Sequence, residues 1–224
     1  MVTYTRTYSP IKGRVFRVVL LNTCGVPVTG ASSAQLVQSG FTQVQSSAEY
    51  EDGDEYIVKT ADNDLCVNEQ DEAILKRFSL TATICSIDPG LVPTVISTAR
   101  LLTYSEAPTG TGFAIAEGKN SAHFSLEVWQ RVAGSGACDP VTGAPLWVYN
   151  AWPHLFDGQI GDYNIQSEPS QLELMAKSKP VSALWTAGNA WLGSGAISVV
   201  PDHWFQNVTS VSPPTPYAGI AAYP

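Results

Sequence analysis

The sequence has few charged residues, few histidines and no long apolar run. Asp, Glu, Lys and Arg make up 14% of the 224 residues, against roughly 25% in an average soluble domain. So few charges indicate large contacts between subunits, although neutral polar side chains also suffice to cover a monomer. No apolar stretch approaches the roughly 18 residues that cross a bilayer, and Arg17 interrupts the most apolar N-terminal stretch, residues 15–21. We therefore expect a soluble protein with no membrane span and no cleaved leader.

Cations are scarce, since the net charge is −8 and the isoelectric point is about 4.7. Proteins that bind nucleic acid tightly replace condensed counterions with Lys and Arg side chains. The balance of charge therefore argues against a nucleic-acid-binding protein and predicts a surface that repels polyanions.

The sequence has four cysteines, Cys24, Cys66, Cys85 and Cys138. No two of them form a C-x-x-C motif, and no closely spaced pair of histidines is present. A zinc site therefore has little support. Two disulfides are possible in number, but nothing in the spacing requires them. We expect reduced, mostly buried thiols in a cytosolic protein.

Motifs of catalysis and nucleotide binding are also missing. There is no G-x-S-x-G. Residues 109–120, TGTGFAIAEGKN, approach a phosphate-binding loop, but the glycine spacing is one residue too long and Asn120 replaces the Ser or Thr that holds magnesium. His123, His154 and His203 are far apart and have no partner at a recognisable spacing, which predicts structural or solvent-exposed imidazoles.

What the sequence does contain is a period of two, typical of half-buried antiparallel strands with one core face and one polar face. It predicts strands at residues 13–20, 41–51, 78–85, 122–132 and 172–177. In the fourth segment the side chains expected on the polar face are His123, Ser125, Glu127, Trp129 and Arg131.

One helix is predicted at about residues 89–102, where Asp88 is a candidate N-cap and Pro89 suits the first helical position. Pro93 delays the start of the regular helix. The remainder divides into an N-terminal arm (1–12), one β-rich domain (13–211) and an extended, proline-rich C-terminal arm (212–224). We expect this last arm to be disordered or laid against a neighbouring subunit.

Half of the acids lie in residues 49–72, which hold ten carboxylates and one cation, Lys59. Residues 52–67 predict a hairpin that turns at Asp62-Asn63-Asp64, and residues 68–77 predict a loop. The spacing does not fit an EF-hand, because Cys66 and Val67 replace a ligand and a glycine. A looser calcium site from Asp52, Asp54, Asp62 and Asp64 stays open, but a solvated negative surface is the favoured interpretation.

Several stretches in succession resemble the major tail tube protein of long, non-contractile-tailed bacteriophages (the siphovirus type), particularly those that infect actinobacteria. They are GFTQVQSSAEYEDGDEYIVKTADNDLCV (40–67), FSLTATICSIDPGL (78–91), SLEVWQRV (125–132), GNAWLGSG (188–195) and DHWFQNVTSVSPP (202–214). The resemblance covers roughly residues 10–215, and it is the succession rather than any one motif that carries it.

The resemblance implies a mainly β fold: a β-sandwich of the phage tail tube and type VI secretion tube kind, with one flanking α-helix and extended arms. It implies homo-hexameric rings that stack into a tube through which DNA passes into the host cell without specific binding. The implied partners are the tape measure protein, the tail terminator and the tail-tip or baseplate proteins. The implied location is the virion tail, after assembly in the host bacterial cytoplasm. No catalytic residue, metal or cofactor belongs to the family, so the expectation is a structural protein and not an enzyme.

A wall along which DNA slides is expected to be neutral or negative, since every cation that contacts phosphate adds affinity and therefore friction. The candidate channel-lining residues are Gln43, Gln45, Ser47, Glu49 and Glu51, followed by Ser79, Thr81 and Thr83. The candidate inter-subunit contacts are Glu69, Asp71, Glu72, Pro213, Pro214 and Tyr217.

Two interpretations from other classes stay open. One is a monomeric β-sandwich module that binds carbohydrate on a phage or cell surface through tryptophans such as Trp129, Trp147 and Trp152. The other is a glycoside hydrolase that uses two of the carboxylates.

Overall fold

The computed structural model describes residues 8–29, 35–103, 111–163, 170–181, 185, 202–217 and 221. The protein is mainly β, as predicted, and all strand pairs within these ranges are antiparallel. Its elements are β1 Ser9–Leu21, β2 Gln35–Gln38, β3 Phe41–Glu51, β4 Glu55–Lys59, β5 Leu65–Gln70, β6 Ile74–Ile84, α1 Leu91–Val95, β7 Ala99–Thr103, β8 Thr111–Ile115, β9 His123–Ala133, a 3-10 turn Gly134–Gly136, β10 Trp147–Ile160, β11 Leu172–Ser178 and β12 Phe205–Thr209. No helix in these ranges has the length and apolarity to cross a membrane.

The main sheet has the strand order β2-β1-β9-β10-β11-β6-β3 and divides at β10. β12 pairs with the first half of β10, from Trp147 to Ala151. β11 pairs with its second half, from Leu155 to Ile160. The β4–β5 and β7–β8 hairpins form two separate two-stranded sheets.

The sheet folds over itself and encloses the main core. Phe16 and Val18 of β1 share one buried cluster with Leu80 and Ile84 of β6, although three strands separate β1 from β6 in the sheet. Leu91 of α1 is fully buried in the same cluster. The two layers therefore stabilise each other through their apolar faces, and α1 covers the apolar side chains at one end.

The opposite face of β1, β9 and β10 is buried as well, which contradicts the prediction of a polar outer face on β9. Trp129 is 0% exposed and Glu127 is 1% exposed, and Ser125 is also buried, while Arg131 is exposed. The cover comes from residues late in the sequence, including Val181, Trp185, Phe205 and Tyr217. Glu127 is tolerated there because Arg17 on β1 forms an ion pair with it at 2.6 Å.

The predicted helix is far shorter than expected, because α1 ends at Val95 and residues 99–103 form β7 instead. Ile96 is already extended (φ −123, ψ 108), and the β-branched residues around it favour strand. Pairing of β7 with β8 then satisfies backbone groups that a helix would otherwise satisfy. Asp88 accepts a hydrogen bond from the Gly90 N–H, so it forms a turn before the helix, and Gly90 is the N-cap.

Both predicted arms differ from expectation where the structure describes them. β1 begins at Ser9, so residues 9–12 are part of the sheet, where residues 9–11 pair with β9. In the C-terminal arm, the Tyr217 N–H donates to the Val37 carbonyl, and Ala221 exchanges backbone hydrogen bonds with Gln35. This segment therefore packs along β2 of its own chain, where it covers an edge that would otherwise be exposed.

The cysteines are placed differently from the prediction of mostly buried thiols. All four are free and all four are exposed. Cys24 and Cys138 lie in loops, Cys66 lies in the exposed strand β5, and Cys85 directly follows β6.

Gly13 allows the two layers to approach each other. A Cβ atom at this position would lie 2.2 Å from the Cζ atom of Phe41, the first residue of β3. Phe41 also packs edge-on against Phe16.

We expect Gly13→Ala to lower the free energy of unfolding by about 1–3 kcal/mol through overpacking. Gly112→Ala is the matched control, because nothing lies within 4 Å of its Cβ position. Urea unfolding of both variants checks this, and an equal effect of the two substitutions would contradict it.

Candidate functional site: the polar face of the folded sheet

Seven of the eight candidate channel-lining residues form one surface, while Glu51 lies beyond a register shift, opposite Ile74. Gln43, Gln45 and Ser47 of β3 lie directly opposite Thr83, Thr81 and Ser79 of β6. The sequence presents these sets as two separate stretches. The antiparallel register makes them cross-strand neighbours on a single side of the sheet.

β11 extends this surface by a third strand. Glu173, Met175 and Lys177 lie opposite Thr83, Thr81 and Ser79. Sequence reasoning did not include these three residues among the candidates, although their alternation with the core residues Leu172, Leu174 and Ala176 was the available signal. We call the resulting surface the polar face; its members are Gln43, Gln45, Ser47, Glu49, Arg77, Ser79, Thr81, Thr83, Glu173, Met175 and Lys177.

The polar face reaches the open edge of the sheet. β3 is the last strand in the strand order, and within the described residues no strand pairs with its outer edge. The opposite edge, β2, is covered by the C-terminal segment. One edge of the main sheet therefore keeps backbone donors and acceptors that another chain can pair with.

Ion pairs compensate the charges on this face. Arg77 Nε lies 2.8 Å from a carboxylate oxygen of Glu49, and the Ser79 hydroxyl donates to the other oxygen of the same carboxylate. This hydrogen bond and the nearby Arg77 hold the pKa of Glu49 below its ordinary value. The adjacent Glu51 pairs with Lys76 at 3.3 Å.

A second ion pair lies where β10 meets β11. Lys177 Nζ lies 2.8 Å from Asp157 Oδ2, and Gln159 donates to the other oxygen of Asp157. The hydrogen bond from Lys177 is the main reason that the pKa of Asp157 is lowered. The face expected to be neutral or negative therefore carries cations, but each cation named here has a carboxylate partner, and the result is close to neutral.

The acidic segment forms a hairpin that projects from the ends of β3 and β6. As predicted, it turns around Asn63, which has a positive φ of 67°, and Thr60 and Asp64 close the turn with backbone hydrogen bonds. The predicted loop at residues 68–77 is wrong, because β5 extends to Gln70 and β6 begins at Ile74. The difference arises because β4 and β5 form an antiparallel pair, in which Glu55 lies opposite Gln70 and Lys59 lies opposite Leu65.

The candidate contact residues Glu69, Asp71 and Glu72 are exposed on this hairpin and on the short loop after it. Pro213 and Pro214 are half-buried, and Tyr217 packs against the buried cluster of its own chain that contains Trp129 and Trp185. The structure therefore brings the first three together at one end of the molecule and places Tyr217 elsewhere, inside an intrachain contact.

A single calcium site from the four candidate aspartates does not form. Asp52 and Asp54 precede β4, whereas Asp62 and Asp64 follow it, so about 16 Å of extended strand separates the two pairs. Within the described ranges, no group of three or more His, Cys, Asp and Glu residues is arranged to hold a metal ion.

The histidines, which appeared isolated in the sequence, include a contacting pair. His123 Nδ1 lies 2.9 Å from His154 Nε2, and His154 is buried. Burial, reinforced by the neighbouring His123, lowers the pKa of His154 from 6.5 to about 4. The sequence held no signal for the pair, because β9 and β10 bring together residues that lie 31 positions apart.

The described tryptophans do not form an exposed sugar-binding platform. Trp129, Trp152 and Trp185 are buried and Trp147 is half-buried, while Trp204 is exposed and stacks on Trp152. Carbohydrate-binding sites commonly use exposed aromatic faces, whereas Trp129, Trp152 and Trp185 pack in the core.

Comparison of the sequence with protein-family models and with curated proteins finds no match. Any proposal of a function therefore depends on the residues, on their geometry and on the resemblance in sequence.

The buried His154 makes stability depend on pH. The folded protein keeps this imidazole neutral down to a pH of about 4, whereas the unfolded chain binds a proton near 6.5. Stability from this group is therefore present above pH 6.5 and is lost as the pH falls toward 4. Urea unfolding at a series of pH values is expected to show this loss in the wild type and a shallower loss in His154→Gln. Equal slopes for the two proteins would contradict the assignment.

Proposed function

We propose that this chain is the structural subunit of a bacteriophage tail tube, which assembles as stacked hexameric rings and conducts the genome into the host cell. The observation that carries the proposal is the polar face, which spans three neighbouring strands and ends at the unpaired edge of β3. A polar sheet surface that continues through such an edge into a neighbouring chain is suited to line a closed wall.

The chemistry of the polar face suits the passage of DNA. Its central positions are neutral and hydrogen-bonding: Gln43, Gln45, Ser47, Thr81 and Thr83. Its cations Arg77 and Lys177 are held by Glu49 and Asp157. Because phosphate would have to displace a carboxylate to reach either cation, the surface supplies little of the affinity that would slow a moving polyanion.

The positions of the two hairpins suit stacked rings. The β4–β5 hairpin extends beyond the end of β6 that holds Ile74, whereas α1 and the β7–β8 hairpin follow the other end, after Ile84. Leu101 and Leu102 on β7 and Ile115 on β8 are exposed. Exposed apolar side chains on both hairpins provide two separate surfaces for contact with neighbouring subunits.

The remaining parts of the proposal come from the family that the sequence resembles. The tube would contact a tape measure protein inside, a tail terminator at one end and tail-tip or baseplate proteins at the other, in the virion and after assembly in the bacterial cytoplasm. The proposal assigns no catalytic residue and no cofactor.

Negative-stain electron microscopy of the protein over a concentration and salt series tests self-assembly. We expect hollow rods of uniform width. Monomers under every condition, including addition of preformed tail tips as nuclei, would contradict the proposal and favour a monomeric binding module.

The wall can be tested separately with substitutions at neutral positions. In phage that carry Gln45→Lys with Ser47→Lys, we expect tubes to assemble and DNA ejection to slow, and the slowing should weaken at higher salt. Gln45→Glu with Ser47→Glu is the matched control, because it changes the same positions without adding cations. If the lysine variant and the control eject DNA at the same rate at every salt concentration, these residues do not line the channel.

A further inference from the structure

The hairpin formed by β4 and β5 has no partner within the described residues. Every residue of both strands is exposed, including Tyr56, Ile57, Val58, Leu65 and Val67. A two-stranded hairpin with no layer packed on it is marginally stable in water. Tyr56, Val58 and Val67 lie on one face of it, and a group of exposed apolar side chains indicates a contact surface. The hairpin therefore has the properties of an element that becomes buried against another surface.

The charge of this hairpin restricts what that surface can be. Eight exposed carboxylates lie in residues 52–72, none of them in an ion pair within the described ranges, and Lys59 is the one cation of the segment. A partner that covers the apolar side chains must bring cations close to these carboxylates, since burying unpaired charge is costly. The matching surface is therefore basic and partly apolar.

Such a surface exists at the opposite end of the same molecule. Lys12, Arg14 and Arg131 are exposed there beside exposed Ile11, and none of the three cations is in a described ion pair. Lys12 and Arg14 are the extra residues in two successive β-bulges of β1 against β9, a geometry that redirects side chains outward. We call these four residues the basic corner.

The basic corner and the hairpin are too far apart to meet within one chain. Gly13, between Lys12 and Arg14, lies against Phe41 at the first residue of β3. The hairpin begins after Glu51, the last residue of β3. Eleven residues of strand separate these ends by about 35 Å, so the hairpin and the basic corner of one molecule do not contact each other.

We propose that the β4–β5 hairpin of one copy docks on the basic corner of a second copy, head to tail. The inference rests on the proposed self-assembly and names the two surfaces that meet. Because the two surfaces differ, the contact is heterologous, and repetition of it generates a ring or an open filament rather than a closed two-fold dimer. The charges also orient the subunits before the apolar side chains make contact.

Charge reversal on each surface tests the contact. One variant carries Lys12→Glu with Arg14→Glu, and the other carries Glu69→Lys with Asp71→Lys, two positions on the face of the hairpin that holds Tyr56 and Val58. Each alone is expected to associate about tenfold more weakly than the wild type at low salt, as measured by analytical ultracentrifugation. An equimolar mixture of the two is expected to regain association, because each variant then meets a complementary surface. Arg100→Glu with Lys119→Glu controls for net charge, since both residues are exposed and outside the basic corner.

The outcomes separate the contact from the tube. The contact is overturned if both single-surface variants associate as strongly as the wild type. It is also overturned if their mixture associates no more strongly than either variant alone. Both conclusions hold even if the wild type forms hollow rods. Rescue in the mixture without rods in any protein supports the contact and counts against the tail tube. Far-UV circular dichroism and unfolding midpoints confirm that all variants fold, which is expected because every substituted side chain is exposed.

Discussion

The fold depends on the bend in the main sheet at β10. Pro153 lies where the pairing of β10 with β9 shifts register, between Trp152 and Leu155, and proline has no N–H to give to a ladder. Before this point β10 pairs with β12, and after it β10 pairs with β11. The change of partner divides the sheet into two layers, and apolar side chains of β1 and β6 meet between these layers and exclude water.

The bend also determines which surfaces remain outside. Burying the apolar side of β3, β6 and β11 leaves their polar side facing outward, with Glu49 and Lys177 neutralised by neighbouring strands. The strand order ends at β3, so the polar face and the open edge occur together. A surface that is polar, nearly neutral and continuous with an unpaired edge is what a self-assembled conduit for DNA requires, and this links the packing of the core to the proposed function.

The predictions from sequence succeeded where the pattern is local. Residues 41–51 and 78–84 lie in strands, and Leu80, Ala82 and Ile84 face the core as their spacing indicates. They failed where a competing interaction came from a distant part of the chain. The residues after Val95 have helical spacing but form β7, because they pair with β8. The side of β9 that was predicted to be polar and exposed is covered by residues that follow β11.

The sequence by itself determined the mainly β class, the acidic hairpin and the alternation that separates a polar side from an apolar side on most strands. These features depend on neighbours one or two residues apart, because successive side chains of a strand point to opposite faces. Only the tertiary structure decided which sides are covered, that Gln45 lies opposite Thr81, and that Lys12 and Arg14 lie about 35 Å from the hairpin. Those outcomes depend on the bend at β10 and on contacts between residues far apart in sequence, which no local pattern encodes.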